Sequence, residues 1–201
     1  AQKALEVYRK AVKLAPTEPD VHLNLANAYL RANQPNEAIK EANEVLQLDP
    51  NSAAAHFVKG SAYIRLNNFE EAVKALQIAH TLDPSEPAGA FQLGLAHLRL
   101  NHFEDAITYL SDAVRDQPEH PSAHFHLSQA LQRAGRDQEA GQALQVHQQI
   151  SAKNPGTTIT PDKLEKSQFT EARIPFVLEP PDSRGIPVRF VDASANAFAG
   201  G

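Results

Sequence analysis

Three features at one fixed interval predict an all-α solenoid of stacked helical hairpins. Ala4, Ala38, Ala72, Ala106 and Ala140 stand 34 residues apart, and so do Pro16, Pro50, Pro84 and Pro118. Between them, apolar residues recur at helical spacing in two blocks per copy, as in Leu23, Leu25, Ala26, Tyr29 and Leu30, followed by Ala38, Ile39, Ala42, Val45, Leu46 and Leu48. A 34-residue period of this kind makes each copy one supersecondary unit. Aligned on the prolines, the chain holds a half copy at 1–18 and full copies at 19–52, 53–86, 87–120 and 121–154.

Each copy reads as helix, tight turn, helix. The break between blocks falls at Asn33, Asn67, Asn101 and Gly135, residue types that tolerate left-handed backbone. Glu37, Glu70, Glu71, Glu104, Asp105 and Glu139 then open the second helix, where the positive end of the macrodipole favours acids. These carboxylates are read as helix starts and not as catalytic groups. Leu48, Asp49, Pro50 and Leu82, Asp83, Pro84 close the second helix, because proline cannot continue it.

The residues at these positions resemble the tetratricopeptide repeat, a 34-residue unit with a small residue and an aromatic on its first helix, alanines on its second and a closing proline. The second copy carries Gly60, Tyr63, Phe69, Ala72, Ala79 and Pro84. The third keeps Leu93, Gly94, Phe103, Ala106, Ala113 and Pro118 but puts His97 where the family usually has tyrosine. The first keeps Leu25, Ala26, Tyr29, Ala38 and Pro50, whereas the fourth keeps Leu127, Ala140 and Leu144 and replaces the glycine by Ser128 and the late alanine by His147. The resemblance implies a right-handed superhelix in which hairpins bury their apolar faces against their neighbours. The chain enters in mid-repeat without an initiator methionine, which is expected of a fragment with more repeats upstream.

Composition narrows the function classes. With 201 residues, 42% hydrophobic, 21% charged and a net charge of −5, the chain suits a globular module. Its mild acidity and lack of a basic run argue against nucleic acid, since phosphate binding needs clustered Lys and Arg. No apolar run approaches the roughly 20 residues of a membrane-spanning helix, so no membrane insertion is expected. The absence of cysteine removes disulfides, zinc–thiolate sites and thiol nucleophiles. No nucleotide-binding, nucleophile-elbow or H-E-x-x-H motif is present, so the scaffold is read as non-catalytic and without cofactor or metal. His120, His124 and His126 come nearest to a ligand set, but His22 and His56 share the repeat position of His124, which points to packing or surface use.

A partner site is expected along the first helices. Arg31, Arg65, Arg99 and Arg133 repeat at 34 residues, each eight residues after Leu23, Phe57, Phe91 and Phe125. Eight residues is a little over two turns, so arginine and aromatic fall near one face. By resemblance, this face lines the concave groove that holds an extended or helical peptide. Leu23, Asn27, Arg31, Phe57, Arg65, Phe91, Arg99, Phe125 and Arg133 are therefore the candidate groove residues, with an apolar floor and a basic edge for an acidic protein or peptide bearing apolar anchors. The guanidinium favours that reading because it pairs carboxylates bidentately. Equally, an arginine in the last turn of its helix suits the dipole and covers apolar neighbours with its stem. The carboxylate-clamp subclass matches only at Asn27, with Leu23, Val58, Ala88 and Gln92 in place of its other polar residues. The asparagine-ladder subclass would need asparagine at Asn24, Val58, Gln92 and His126, and only the first complies.

After residue 156 the array gives way to a segment, 157–201, read as a capping helix followed by an extended linker or tail. Thr160, Pro161 and Asp162 are expected to start a helix through Arg173, with Leu164 and Phe169 as contacts. Short extended runs follow at Ile174 to Leu178 and Val188 to Val191. Ile186 to Asp192 weakly resembles the opening strand of β-propeller regions of the FG-GAP and UnbV/ASPIC kind, which would imply an exported, periplasmic or extracellular parent protein in place of a cytoplasmic one. Two further readings concern the tail. The array is either a spacer or docking arm for an adjacent domain, or its own tail, with Phe169, Glu171, Phe176, Glu179 and Asp182, folds into the groove and competes with partners.

Overall fold

The computed structural model describes residues 2–153 and 168–172. Nine helices occur among them: α1 (Gln2–Leu14), α2 (Pro19–Arg31), α3 (Pro35–Leu48), α4 (Ala53–Arg65), α5 (Phe69–Leu82), α6 (Pro87–Arg99), α7 (Phe103–Asp116), α8 (Pro121–Arg133) and α9 (Asp137–Lys153). No strand occurs among the described residues. Helices α2 to α9 form four antiparallel hairpins, and α1 is the second helix of the half copy, packed on α2. The fold is a solenoid of helical hairpins.

The turns follow from chain chemistry. Asn33, Asn67, Asn101 and Gly135 have φ of 55°, 57°, 61° and 78°. Each allows the paired backbone bonds of a Schellman ending: Gln34 N–H donates to Tyr29 O at 2.8 Å and Asn33 N–H to Leu30 O at 3.0 Å. The same pair recurs from Asn68 and Asn67, from His102 and Asn101, and from Arg136 and Gly135. At the other end, proline opens α2, α6 and α8, where the missing N–H would have no helical acceptor. Helix α4 instead starts from Ser52, whose Oγ accepts from Ala55 N–H at 3.3 Å.

Packing explains the small residues. A Cβ at Gly60 would stand 2.5 Å from Leu76 Cγ, and one at Gly94 would stand 2.5 Å from Leu110 Cγ and 3.1 Å from the Leu110 backbone nitrogen. Those glycines let the two helices of a hairpin meet over a leucine that is itself fully enclosed. Ala38, Ala72 and Ala106 are likewise completely buried. The first helices touch along the stack, α2 on α4, α4 on α6 and α6 on α8, while the second helices pack chiefly on the first helices that flank them. The first-helix layer is therefore the inner one and forms the concave side.

A histidine ladder joins successive units. Nε2–H of His22, His56 and His124 faces the carbonyls of Pro16, Pro50 and Pro118 at 3.0, 3.4 and 2.8 Å. In α2, α4 and α8 this donor ties the first helix to the loop that ends the preceding second helix, which is a packing use, whereas α6 has Ala90 at that position. The expected helix from Thr160 to Arg173 falls mostly outside the described residues; Gln168 to Ala172 form a turn and a bend. The extended runs, the propeller-like stretch and Phe176, Glu179 and Asp182 also lie outside them.

Candidate functional site

The inner face at the amino-terminal end of the array is occupied by the chain's own residues 168–172. Phe169 and Thr170 are 4% and 2% exposed, as enclosed as the helical core. Phe169 sets its ring against Phe57 of α4, with centroids 5.3 Å apart and planes inclined by 51°. Offset, tilted packing of this kind suits the aromatic quadrupoles. The side chain belongs to the same apolar cluster as Leu23, Leu25, Val58 and Leu93.

Polar contacts fix the segment through its main chain. Asn27 Nδ2 donates to the Phe169 carbonyl at 2.8 Å, and an Arg31 Nη donates to the Thr170 carbonyl at 2.7 Å. These two donors lie four residues apart on α2, one turn up the same face, so they match consecutive carbonyls of a peptide crossing the helix. Gln168 Nε2 donates to Asp83 Oδ2 at 2.9 Å, extending the contact to the end of α5. Beneath, Ser61 Oγ lies 2.9 Å from the Phe57 carbonyl and 2.6 Å from Gln92 Oε1, which gives these buried groups partners, whereas Asn27 Oδ1 is buried with none.

The other candidate residues are spread along the stack. Leu23 is a core residue under this contact. Arg65 faces the preceding turn, with Nη1 3.4 Å from Asn33 Oδ1. The phenylalanines grade from enclosed to open: Phe57 is 0% exposed, Phe91 6% and Phe125 37%. Phe91 packs on His120 and His126, and Phe125 on His126 and His147. Arg99 and Arg133 come together across a cleft of about 300 Å³ that Leu98, Asn101, Phe103, Gln129 and Gln132 complete. Of the nine, Leu23, Asn27, Arg31 and Phe57 gather around Phe169 and Arg99 and Arg133 line the cleft, while Arg65, Phe91 and Phe125 make the separate contacts above.

The histidines that stand out in the sequence are each engaged separately. His120 Nδ1 caps α8 by accepting from Ala123 N–H at 3.0 Å, His124 faces the Pro118 carbonyl, and His126 Nδ1 lies 3.1 Å from Gln129 Oε1. A different group stands at the α6–α7 turn: one ligand atom each from His97, His102 and Asp105 lies within 4.8 Å of the others. Burial pushes the His97 imidazole below its ordinary pKa, opposed by nearby Asp105. Neither this turn nor Asp83 is marked as a site by the sequence. Asp83 reads there only as part of a helix end, and its role needs a partner 85 residues away.

Comparison with known proteins accords with this architecture. The tetratricopeptide repeat sequence profile matches residues 23–87 and 91–155, and a second TPR repeat profile matches residues 2–33. The matches end before the propeller-like stretch, and the propeller resemblance has no support. No curated protein matches in sequence. Among solved structures, MamA is 24% identical with a TM-score of 0.69, covering 75% of this chain and 88% of its own. YrrB, a TPR protein with an unusual peptide-binding site, is 23% identical with a TM-score of 0.67, covering 77% and 78%. PilF from Pseudomonas aeruginosa is 25% identical with a TM-score of 0.64, covering 71% and 65%. With repeat period, turn geometry and profile matches in agreement, the chain belongs to the tetratricopeptide repeat family.

Proposed function

We propose that this array is a non-catalytic protein-interaction scaffold whose inner face holds a peptide segment through an aromatic anchor and main-chain hydrogen bonds. The observation that carries this reading is the seat of Phe169 and Thr170 on Asn27, Arg31 and Phe57. Donors aimed at carbonyls accept many sequences, whereas the pocket beside Phe57 selects an aromatic or large apolar side chain. Arg31, Arg65, Arg99 and Arg133 then bias the face toward partners with acidic residues, and Arg99 with Arg133 offers a second basic zone along the peptide path. The shared fold with YrrB, which has a peptide-binding site of its own, supports this use of the scaffold. No helix among the described residues is long and apolar enough to cross a membrane.

A second reading, in which the array is a spacer or docking arm and the segment is a fixed part of it, is favoured by the membership of Phe169 in the apolar cluster of the first repeats. The two readings separate in trans. In the intact chain bearing Phe169→Ala, the native segment loses its anchor and leaves the face open. A fluorescent peptide spanning residues 165 to 175 should then bind saturably, and Asn27→Ala or Arg31→Ala should each weaken it about fivefold, the equivalent of about 1 kcal/mol per hydrogen bond. Absence of binding to the Phe169→Ala chain would reject the groove in favour of the spacer.

A further inference from the structure

We propose that the α6–α7 turn is a divalent transition-metal site formed by His97, His102 and Asp105. Its starting point is an anomaly in the core: His97 is 8% exposed, and both of its ring nitrogens are buried with no hydrogen-bond partner. A neutral imidazole carries one donor and one acceptor, and leaving both unmet inside a protein is penalised. The nearest carboxylate oxygen, Asp105 Oδ2, is 3.8 Å from Nδ1, too far for a hydrogen bond and suited to closing on a shared cation.

The turn presents these groups on a rigid frame. Asn101 holds φ at 61°, and His102 N–H donates to the His97 carbonyl at 2.9 Å, which fixes the two histidine backbones relative to each other. Tyr109 of α7 stacks on the His97 ring at 5.4 Å and 11°, setting its plane, and the His102 ring centroid lies 5.7 Å away. The three ligand atoms lie within 4.8 Å of one another, against the about 3.4 Å separation of tetrahedral ligands around zinc. His102 and Asp105 are exposed, and rotation of their side chains supplies the contraction.

The other copies lack the set. At the same three positions they have Tyr29, Gln34 and Glu37, then Tyr63, Asn68 and Glu71, then Leu131, Arg136 and Glu139. In the fourth copy the last two pair with each other, Arg136 Nη2 to Glu139 Oε2 at 2.6 Å. Only the third copy replaces the family tyrosine by an imidazole and adds a second imidazole one turn away. Two nitrogens and one carboxylate suit Zn²⁺, Co²⁺, Ni²⁺ or Cu²⁺ and not Mg²⁺ or Ca²⁺, which take oxygen ligands. Three protein ligands leave a further coordination position for water or for a donor from a bound partner.

The test titrates the intact chain with Zn²⁺ by calorimetry and with Co²⁺ by visible absorption. One-to-one binding is expected, with Mg²⁺ inert and with the imidazole resonances of His97 and His102 shifted by Zn²⁺ in ¹H–¹⁵N spectra. His97→Tyr and His102→Asn restore residues of the second copy; each should weaken Zn²⁺ binding at least tenfold, as should Asp105→Asn. His102→Asn alters an exposed side chain and keeps the test decisive if His97→Tyr unfolds the turn. No saturable binding, or binding that His102→Asn and Asp105→Asn leave unchanged, would overturn the assignment.

Discussion

Replacing Gly94 by alanine isolates the role of close helix approach in this fold. The added Cβ would lie 2.5 Å from Leu110 Cγ, 3.0 Å from Cδ2 and 3.1 Å from the Leu110 backbone nitrogen. Cγ is the branch point of a fully enclosed side chain, so rotation of its far end gives little relief, and the backbone of α7 is held along the α6–α7 interface. Overpacking of this kind costs about 1–3 kcal/mol. Against it stands the roughly 1 kcal/mol that alanine gains over glycine in a helix interior. Gly141 in α9 supplies the reference, because a Cβ added there would meet nothing within 4 Å and alanine gains propensity alone. Gly141→Ala should therefore raise stability by about 1 kcal/mol, and Gly94→Ala should leave it unchanged or lower it by up to about 2 kcal/mol. The difference between the two, about 1–3 kcal/mol, is the overpacking with propensity cancelled. Urea denaturation followed by far-ultraviolet circular dichroism measures both. Equal stabilisation by the two substitutions would refute the contact between Gly94 and Leu110 as the reason glycine stands there.

Other consequences follow from single groups. Asn101→Ala should destabilise by about 1 kcal/mol, because alanine tolerates φ of 61° poorly, whereas Asn101→Gly should be nearly neutral in the same denaturation assay. Burial holds the His56 imidazole below its ordinary pKa, so the folded chain takes up this proton less readily than the unfolded one. Stability contributed here is present above pH about 6.5 and falls as pH drops through that value toward the lower folded pKa, and an NMR titration should place the His56 midpoint below about 6.5. Arg136→Ala should return the Glu139 carboxyl, held low by its hydrogen bond from Arg136, toward its ordinary range in a carbon-detected titration.

The repeat makes the fold legible before any coordinates. Period, prolines and asparagines give the helix pairs and their left-handed turns, because each copy solves the same local problem with the same residues. Gly60 and Gly94 can be read as close-approach positions for the same reason. The site is legible only in part. Asn27, Arg31 and Phe57 lie on one helical face that spacing reveals, but the partner of Asn27 is 142 residues away and the partner of Asp83 is 85 away, which no local pattern encodes. Phe57, Phe91 and Phe125 share a repeat position, yet the first two are enclosed and the third is 37% exposed, in the last hairpin among the described residues. The cluster at His97 stays hidden since its signal is a departure from the repeat, a tyrosine replaced by histidine, whose meaning depends on Tyr109 and Asp105 around it.

The face formed by Asn27, Arg31 and Phe57 should bind a peptide segment reversibly. The most direct measurement is fluorescence anisotropy of the labelled 165 to 175 peptide against the unaltered chain and against Phe169→Ala. Truncating an enclosed phenylalanine removes about 3 kcal/mol, so the variant should bind the peptide at least tenfold more tightly than the unaltered chain, whose own segment competes. Equal affinity for both chains, or no binding to either, would mean that residues 168–172 are a fixed part of the fold and that this face is no exchangeable peptide site.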